Sequence, residues 1–251
     1  MADSLQEGAA EQASPGARPG VAVVVGAGGG IGGALAAALA GAGYEAVHAL
    51  SRAATAVPGC IAGPIDVTDE ASIAAVFDGI EGVIALCIVA TGILHAEGVV
   101  PEKSWRMIEP QSFARVLAVN TVGPALVAKH ALSRLPRRGR GVFAALSARV
   151  GSIGDNRSGG WHAYRASKAA LNMLIANFAI ELRTRNPDAL AVGLHPGTVD
   201  TGLSAPFQRG VADGKLFTPV YSASRLLAVL DGLGPMDSGG CFAWDNARIA
   251  A

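Results

Sequence analysis

The chain has 251 residues, 51% of them hydrophobic and 16% charged, which is enough apolar material for one sizeable core. Its 20 acidic and 20 basic side chains cancel, an argument against a nucleic acid or an anionic membrane as partner and for a small molecule. Cys60, Cys87 and Cys241 are odd in number, far apart and set among apolar residues, as expected of reduced thiols in a cytoplasmic protein rather than of a disulfide framework or a metal site.

Residues 1–19 are rich in Ala, Gly, Glu, Gln, Ser and Pro without an apolar period, so a disordered N-terminal tail is expected there. The tail lacks the basic and apolar segments of a signal sequence, and Gly or Asp interrupts every apolar stretch before the ~18 residues of a membrane span. From Val21 onward, short β-branched or apolar runs alternate with longer helical patterns. This predicts an α/β fold of Rossmann type, a doubly wound and mainly parallel sheet of about seven strands with helices on both faces. Strands are expected at 21–25, 46–50, 60–65, 83–89, 141–146 and 190–195, with a last one at 241–244. Helices are expected at 31–42, 69–78, 111–134, 163–185 and 222–231. No linker interrupts the alternation, so residues 20–251 read as a single domain.

Between the first strand and the first helix stands Gly26-Ala27-Gly28-Gly29-Gly30-Ile31-Gly32. The G-x-x-x-G-x-G spacing of Gly26, Gly30 and Gly32 permits a tight turn and lets backbone N–H groups around Ile31 approach a pyrophosphate at the helix N-terminus. Sites that prefer NAD place an acid about 20 residues further on, at the end of the second strand. Here that position holds Ser51-Arg52, and a guanidinium suits the 2′-phosphate of NADP; NAD is the alternative. After the third strand, Asp66 is placed to accept from an adenine amino group, with Val67 against the ring. Asp66-Val67-Thr68-Asp69 also reads as a strand exit into a helix capped by Thr68 or Asp69.

Tyr164 and Lys168 lie four apart at the start of a predicted helix. A free Tyr titrates near ~10, and residues four apart share a helix face, so a neighbouring cation would favour the phenolate and let the pair exchange a proton with a carbonyl or alcohol oxygen. Tyr and Lys at this spacing also decorate solvated helix faces.

With Gly26, Gly30 and Gly32, Asp66, Asn120, Tyr164 and Lys168, and His195-Pro196-Gly197-Thr198-Val199-Asp200-Thr201 in this order, the chain resembles the short-chain dehydrogenase/reductase family. Within that family, Leu146 to Lys168 is similar to the C-factor and sniffer-like carbonyl reductases. The resemblance implies an NADP-dependent oxidoreductase that reduces a carbonyl or oxidises an alcohol. Tyr164 would be the general acid/base, Lys168 would bind the nicotinamide ribose, and Asn120 would hold a relay water. Pro196, Gly197, Val199 and Thr201 would contact the nicotinamide side of the cofactor. Family members form homodimers or homotetramers through helices matching 111–134 and 163–185. The alternative is a signalling protein that holds the cofactor with little or no turnover.

Several positions depart from the family pattern. Val89-Ala90-Thr91-Gly92 stands in place of Asn-Asn-Ala-Gly, leaving backbone contacts from Ala90 and Gly92, and Val25 replaces a Thr. The usual serine position falls on Ala148, and Ser147 is one residue early. One residue reverses the facing of a strand side chain, so the assignment of Ser147 as the carbonyl-holding residue requires a bend or bulge; Ser152 is the next hydroxyl. His95, Trp161, His162 and the segment from Leu203 to Leu216 would shape the substrate pocket, with Leu203–Thr218 as a lid.

Overall fold

The computed structural model describes residues 18–250. The expected tail therefore lies outside the described residues except for Arg18 and Pro19. Arg18 is tied down, its guanidinium pairing with Asp231 at 3.0 Å and reaching Tyr44 Oη at 3.3 Å.

The first strand, β1 (Val21–Val25), is buried along its whole length, as a central parallel strand must be. It is followed by α1 (Gly30–Ala40), β2 (Val47–Ser51), β3 (Ile61–Pro64), α2 (Glu70–Asp78) and β4 (Ile84–Val89). Of the two residues expected to cap α2, Asp69 does so, accepting from Ala71 N at 3.0 Å. Next come α3 (Pro110–Leu117), α4 (Gly123–Ala131), β5 (Val142–Leu146), α5 (His162–Arg185), β6 (Leu190–His195), β7 (Thr198–Val199) and β8 (Leu216–Phe217). The described residues close with α6 (Pro219–Gly232), β9 (Cys241–Ala243) and β10 (Arg248–Ile249).

Eight strands form one sheet in the order β10-β9-β6-β5-β4-β1-β2-β3, parallel except for the β9–β10 pair. The seven expected strands are present, and β10 is an addition. Its two residues are too few to show a period; the preceding turn is set by Asn246 at φ 68° and by Ala243 N donating to Ala247 O at 2.8 Å. Alternate residues of β1 point to opposite faces. Val21, Val23 and Val25 pack with Phe77 of α2, Val127 of α4 and Leu171 of α5, while Ala22 and Val24 pack with Leu35 of α1 and Leu226 of α6. Strand order reverses between β1 and β4, which opens a crevice at their carboxyl ends.

The helix expected at 111–134 is not continuous. Ala118–Val122 forms a π turn between α3 and α4. Its apolar residues carry the helical pattern across the junction, so the sequence shows no break. No described helix is long and apolar enough to cross a membrane. All three cysteines are free; Cys60 is only half-buried, its thiol donating to Ala36 O at 3.4 Å.

Candidate active site

The crevice at the switch point is a cavity of about 720 Å³ lined by Gly26, Arg52, Asp66, Ala90 and Gly92, among others. Gly26 has φ 99°, and a Cβ there would lie 2.9 Å from both Ala90 C and Thr91 N. Only glycine allows the turn to pass this close to the end of β4. Gly32 seats α1 on the same turn, since its Cβ would lie 2.2 Å from Gly26 O. Gly30 meets the loop after β6, with its Cβ position 2.9 Å from Thr201 Cγ2, and Ile31 begins the half-buried face of α1 beside it.

Arg52 is exposed at the rim, and the buried Ser51 accepts from Thr55 N at 2.9 Å. Asp66 Oδ1 accepts from Thr68 Oγ1 at 2.6 Å and Thr68 N at 2.9 Å. These two bonds, with the nearby Arg52 guanidinium, hold its carboxyl below the usual carboxylate range. Val67 is buried against Gly123, where α4 begins. Thr91 Oγ1, also in the cavity lining, is buried without a partner among the described residues. Gly28, Thr55 and Arg115 line the cavity as well; the sequence reading did not assign them, and only the neighbourhood of Gly28 to the glycine motif could have suggested one.

At the inner end of the cavity, the Cβ position of Gly92 lies 3.5 Å from both Asn120 Oδ1 and Lys168 Nζ. Asn120 sits on the π turn with 0% exposure. Its Oδ1 accepts from Ile93 N at 2.8 Å, and its Nδ2 donates to Ile93 O at 2.8 Å and Ser167 Oγ at 3.1 Å. Both amide donors are thus committed, and the side chain braces the loop after β4 against α5. π turns inside α-helices re-aim side chains at functional sites, and this one turns Asn120 inward.

Lys168 is 3% exposed; its Nζ donates to Leu146 O at 2.7 Å and lies 5.8 Å from the Tyr164 ring centroid. Burial pulls Lys168 down to about 8 and pushes the half-buried Tyr164 up to about 12. The phenol therefore moves opposite to the direction expected from the Tyr–Lys spacing. Desolvation outweighs a cation that is turned towards the Leu146 carbonyl.

This burial has a measurable cost. An unfolded Lys keeps its proton to ~10.4, whereas the folded protein releases it from Lys168 near pH 8. The folded state binds fewer protons in that interval, so stability climbs as pH rises from about 8 to 10.4. Lys168→Met removes the desolvation penalty and the bond to Leu146, and is expected to be about 1–2 kcal/mol more stable than wild type at pH 7. Urea unfolding should show that advantage shrinking above pH 8; a variant less stable at pH 7 would overturn the expectation.

The bend or bulge that would turn Ser147 towards a carbonyl is not present. The β5–β6 register is unbroken from Val142 to Leu146, Ser147 N continues it by donating to Leu194 O at 2.7 Å, and Ala148 is still extended. Ser147 is 3% exposed, its Oγ donating to Asn172 Oδ1 at 2.6 Å beside the Cys241 thiol. Strand alternation thus turns it into the α5 side of the sheet, where it has no exposed face for a carbonyl. Ser152 is also buried, and its Oγ accepts from Asp155 N at 3.0 Å.

An aromatic wall flanks Tyr164. Trp161 stands edge-on to Tyr164 at 6.3 Å and to Phe207 at 5.2 Å. His95 meets Phe207 at 5.7 Å and joins Gly202 O through Nε2 at 3.0 Å; His162 is half-buried at the start of α5. The loop after β6 is anchored by Ser222 Oγ donating to Pro196 O at 2.9 Å and by Ser204 Oγ donating to Val199 O at 2.5 Å. Gly197, at φ 80°, lies under Phe217. The segment expected to be a lid, Leu203–Thr218, contains a 3₁₀ turn at Ala205–Gly210 and includes β8, which pairs with β7.

Residues 20–211 match the model of the short chain dehydrogenase family. The chain is 34% identical over 142 residues to the C-signal of Myxococcus xanthus, covering 57% of this chain and 80% of that protein. Matches to two further relatives span 62% and 54% of their lengths. The fold is shared with the carbonyl reductase Sniffer of D. melanogaster, with a TM-score of 0.79, 22% identity and coverage of 92% of this chain and 99% of that one. It is also shared with an NADPH-bound carbonyl reductase from chicken fatty liver, with a TM-score of 0.76, 24% identity and coverage of 95% and 96%.

Proposed function

Because the chain belongs to the short-chain dehydrogenase family, we propose that it is an NADP-linked carbonyl reductase in which Tyr164 protonates the oxygen of a small-molecule carbonyl. The observation that carries this reading is the seam at Gly92, where the glycine-lined cavity meets Lys168 and Asn120. The cavity suits a dinucleotide: the backbone at Gly26 is bare, Arg52 stands at the rim, and Thr91 Oγ1 is buried without a partner. Such a cofactor supplies the hydride.

The chain's own residues do the rest. N–H groups at Gly30, Ile31 and Gly32 receive the pyrophosphate at the start of α1. Ser51 and Arg52 take the 2′-phosphate, Asp66 accepts from the adenine amino group through its second oxygen, and Val67 and Ala90 supply apolar walls. Lys168 holds the nicotinamide ribose, while the loop carrying Pro196, Gly197, Val199 and Thr201 closes over the nicotinamide. Tyr164, kept protonated by its burial, donates to the carbonyl oxygen. Residues 20–251 act as one dinucleotide-binding catalytic domain, and exposed Val122, Met173 and Ile180 offer a face for a homo-oligomer.

Titration with NADPH and with NADH, followed by nicotinamide fluorescence, tests the cofactor assignment. NADPH should bind at least about tenfold tighter, the size of one charge-assisted contact. Arg52→Ala should erase that margin without weakening NADH. Equal binding of the two by wild type would remove Arg52 from the site. The turned-away Ser147 favours a second reading, a signalling protein that holds the cofactor without turnover.

A further inference from the structure

Glu102 lies between β4 and α3 and is 3% exposed. Among the described residues, no Lys, Arg or His side chain lies within ion-pair distance of it. A buried carboxylate without a counter-ion is costly unless a positive group of another kind lies against it.

That group is the N-terminus of α5. Both Glu102 carboxylate oxygens lie 3.3 Å from Ala163 N, the second residue of the helix and a position that an N-cap side chain normally serves. Trp161, which precedes the helix, makes no such bond itself and sits at φ 49°, ψ 45°. This left-handed conformation is unfavourable for a bulky side chain and persists only where its surroundings impose it. The backbone around position 102 supports it, since Trp161 N donates to the main-chain Glu102 O at 2.5 Å, while the Glu102 carboxylate reaches across 61 positions to Ala163 N. Gly160, at φ 66°, passes close under the same carbonyl, its Cβ position 3.3 Å away. The carboxylate also faces the positive end of the helix dipole. Tyr164 is the next residue along, in the same first turn.

We propose that the Glu102 side chain is a positioning group that caps α5 from outside the helix, keeps the 102–161 main-chain contact in place beside Trp161, and thereby sets the place of the Tyr164 hydroxyl. This rests on the reading of Tyr164 as the proton donor, so the test needs one arm that does not depend on turnover.

Glu102→Gln keeps an acceptor oxygen at Ala163 N, whereas Glu102→Leu does not. Glu102→Leu should lower kcat for carbonyl reduction by about tenfold, as expected when a reacting group is displaced by a fraction of an ångström, and leave the NADPH Kd within twofold of wild type. Glu102→Gln should stay within about threefold of wild type in kcat. With 5-fluorotryptophan incorporated, the ¹⁹F resonance of Trp161, assigned by Trp161→Phe, should shift in Glu102→Leu while that of Trp244 stays in place. Wild-type kcat together with an unmoved Trp161 resonance in Glu102→Leu would overturn the proposal. A kcat loss matched by an equal loss of NADPH binding would do the same, because that signature belongs to general damage. If wild type shows no turnover, the carbonyl reductase reading fails, and the Trp161 resonance alone decides whether Glu102 caps α5.

Discussion

Tyr164→Phe is expected to lower kcat for carbonyl reduction by about 10²–10⁴-fold, the usual contribution of a positioned general acid, with NADPH affinity unchanged within twofold. The phenol carries this proton in the proposed reaction, while the nearby serine hydroxyls are engaged, Ser147 with Asn172 and Ser152 with Asp155 N. Its burial, which pushes it up to about 12, keeps the proton in place across the neutral range. Reduction should therefore be insensitive to pH between about 6 and 7 in the chemical step, below the release of the Lys168 proton near 8, while alcohol oxidation, which needs the phenolate, should rise throughout that interval. Steady-state kinetics of wild type and variant, with the cofactor titrated separately, give both answers. A Tyr164→Phe protein that keeps its function while binding NADPH normally would point to the signalling role.

Gly32→Ala should be the most damaging single methyl addition to the glycine turn. The new Cβ would lie 2.2 Å from Gly26 O and 2.7 Å from Gly26 C, and neither backbone atom has a flexible side chain's freedom to withdraw. Helix α1 must shift off the turn at a cost of about 1–3 kcal/mol, and N–H groups displaced by even 1 Å should cost about 100-fold in NADPH affinity. Gly29→Ala is the internal control. Gly29 has φ −88°, and its Cβ would meet Gly26 O at an ordinary 3.5 Å, so unfolding free energy should change by no more than about 0.5 kcal/mol. Urea titrations of the two variants should separate them clearly; equal stabilities would mean that α1 does not seat on the turn as described.

What could be read from the sequence, and what could not, follows the range of the interactions involved. The strand, glycine turn and helix at Val21–Ala40 were legible because turn chemistry and apolar period are local. The same holds for the α2 cap, which needed only Asp69 and Ala71. Asn120 is a poor helix former, but its π turn is hidden, because Ala118-Val119-Asn120-Thr121-Val122 continues the apolar pattern while adding a residue to the turn. Facing at Ser147 was posed correctly as a question of alternation. Its answer depended on whether β5 stays in register with β6, which is a fact about a neighbouring strand. The Tyr164 direction failed for a related reason: spacing along a helix places two groups on one face, but it reports neither how dry that face is nor which carbonyl the lysine prefers. Glu102 gave no signal at all, because its partner lies 61 residues downstream.

The sheet order also bears on how the chain emerges from a ribosome. β1 is a run of five wholly buried residues, Val-Ala-Val-Val-Val, whose two sheet neighbours are β2 and β4. The first arrives soon after it, but the second is about 60 residues later, roughly 3–12 s at ordinary synthesis rates of about 5–20 residues per second. Throughout that interval the nascent β1 has an open edge, and its composition is that of a strand prone to pair with other chains. Occupation of that edge by a chaperone, or a slow decoding stretch placed after β4 rather than before it, would set how much of this protein reaches the folded state.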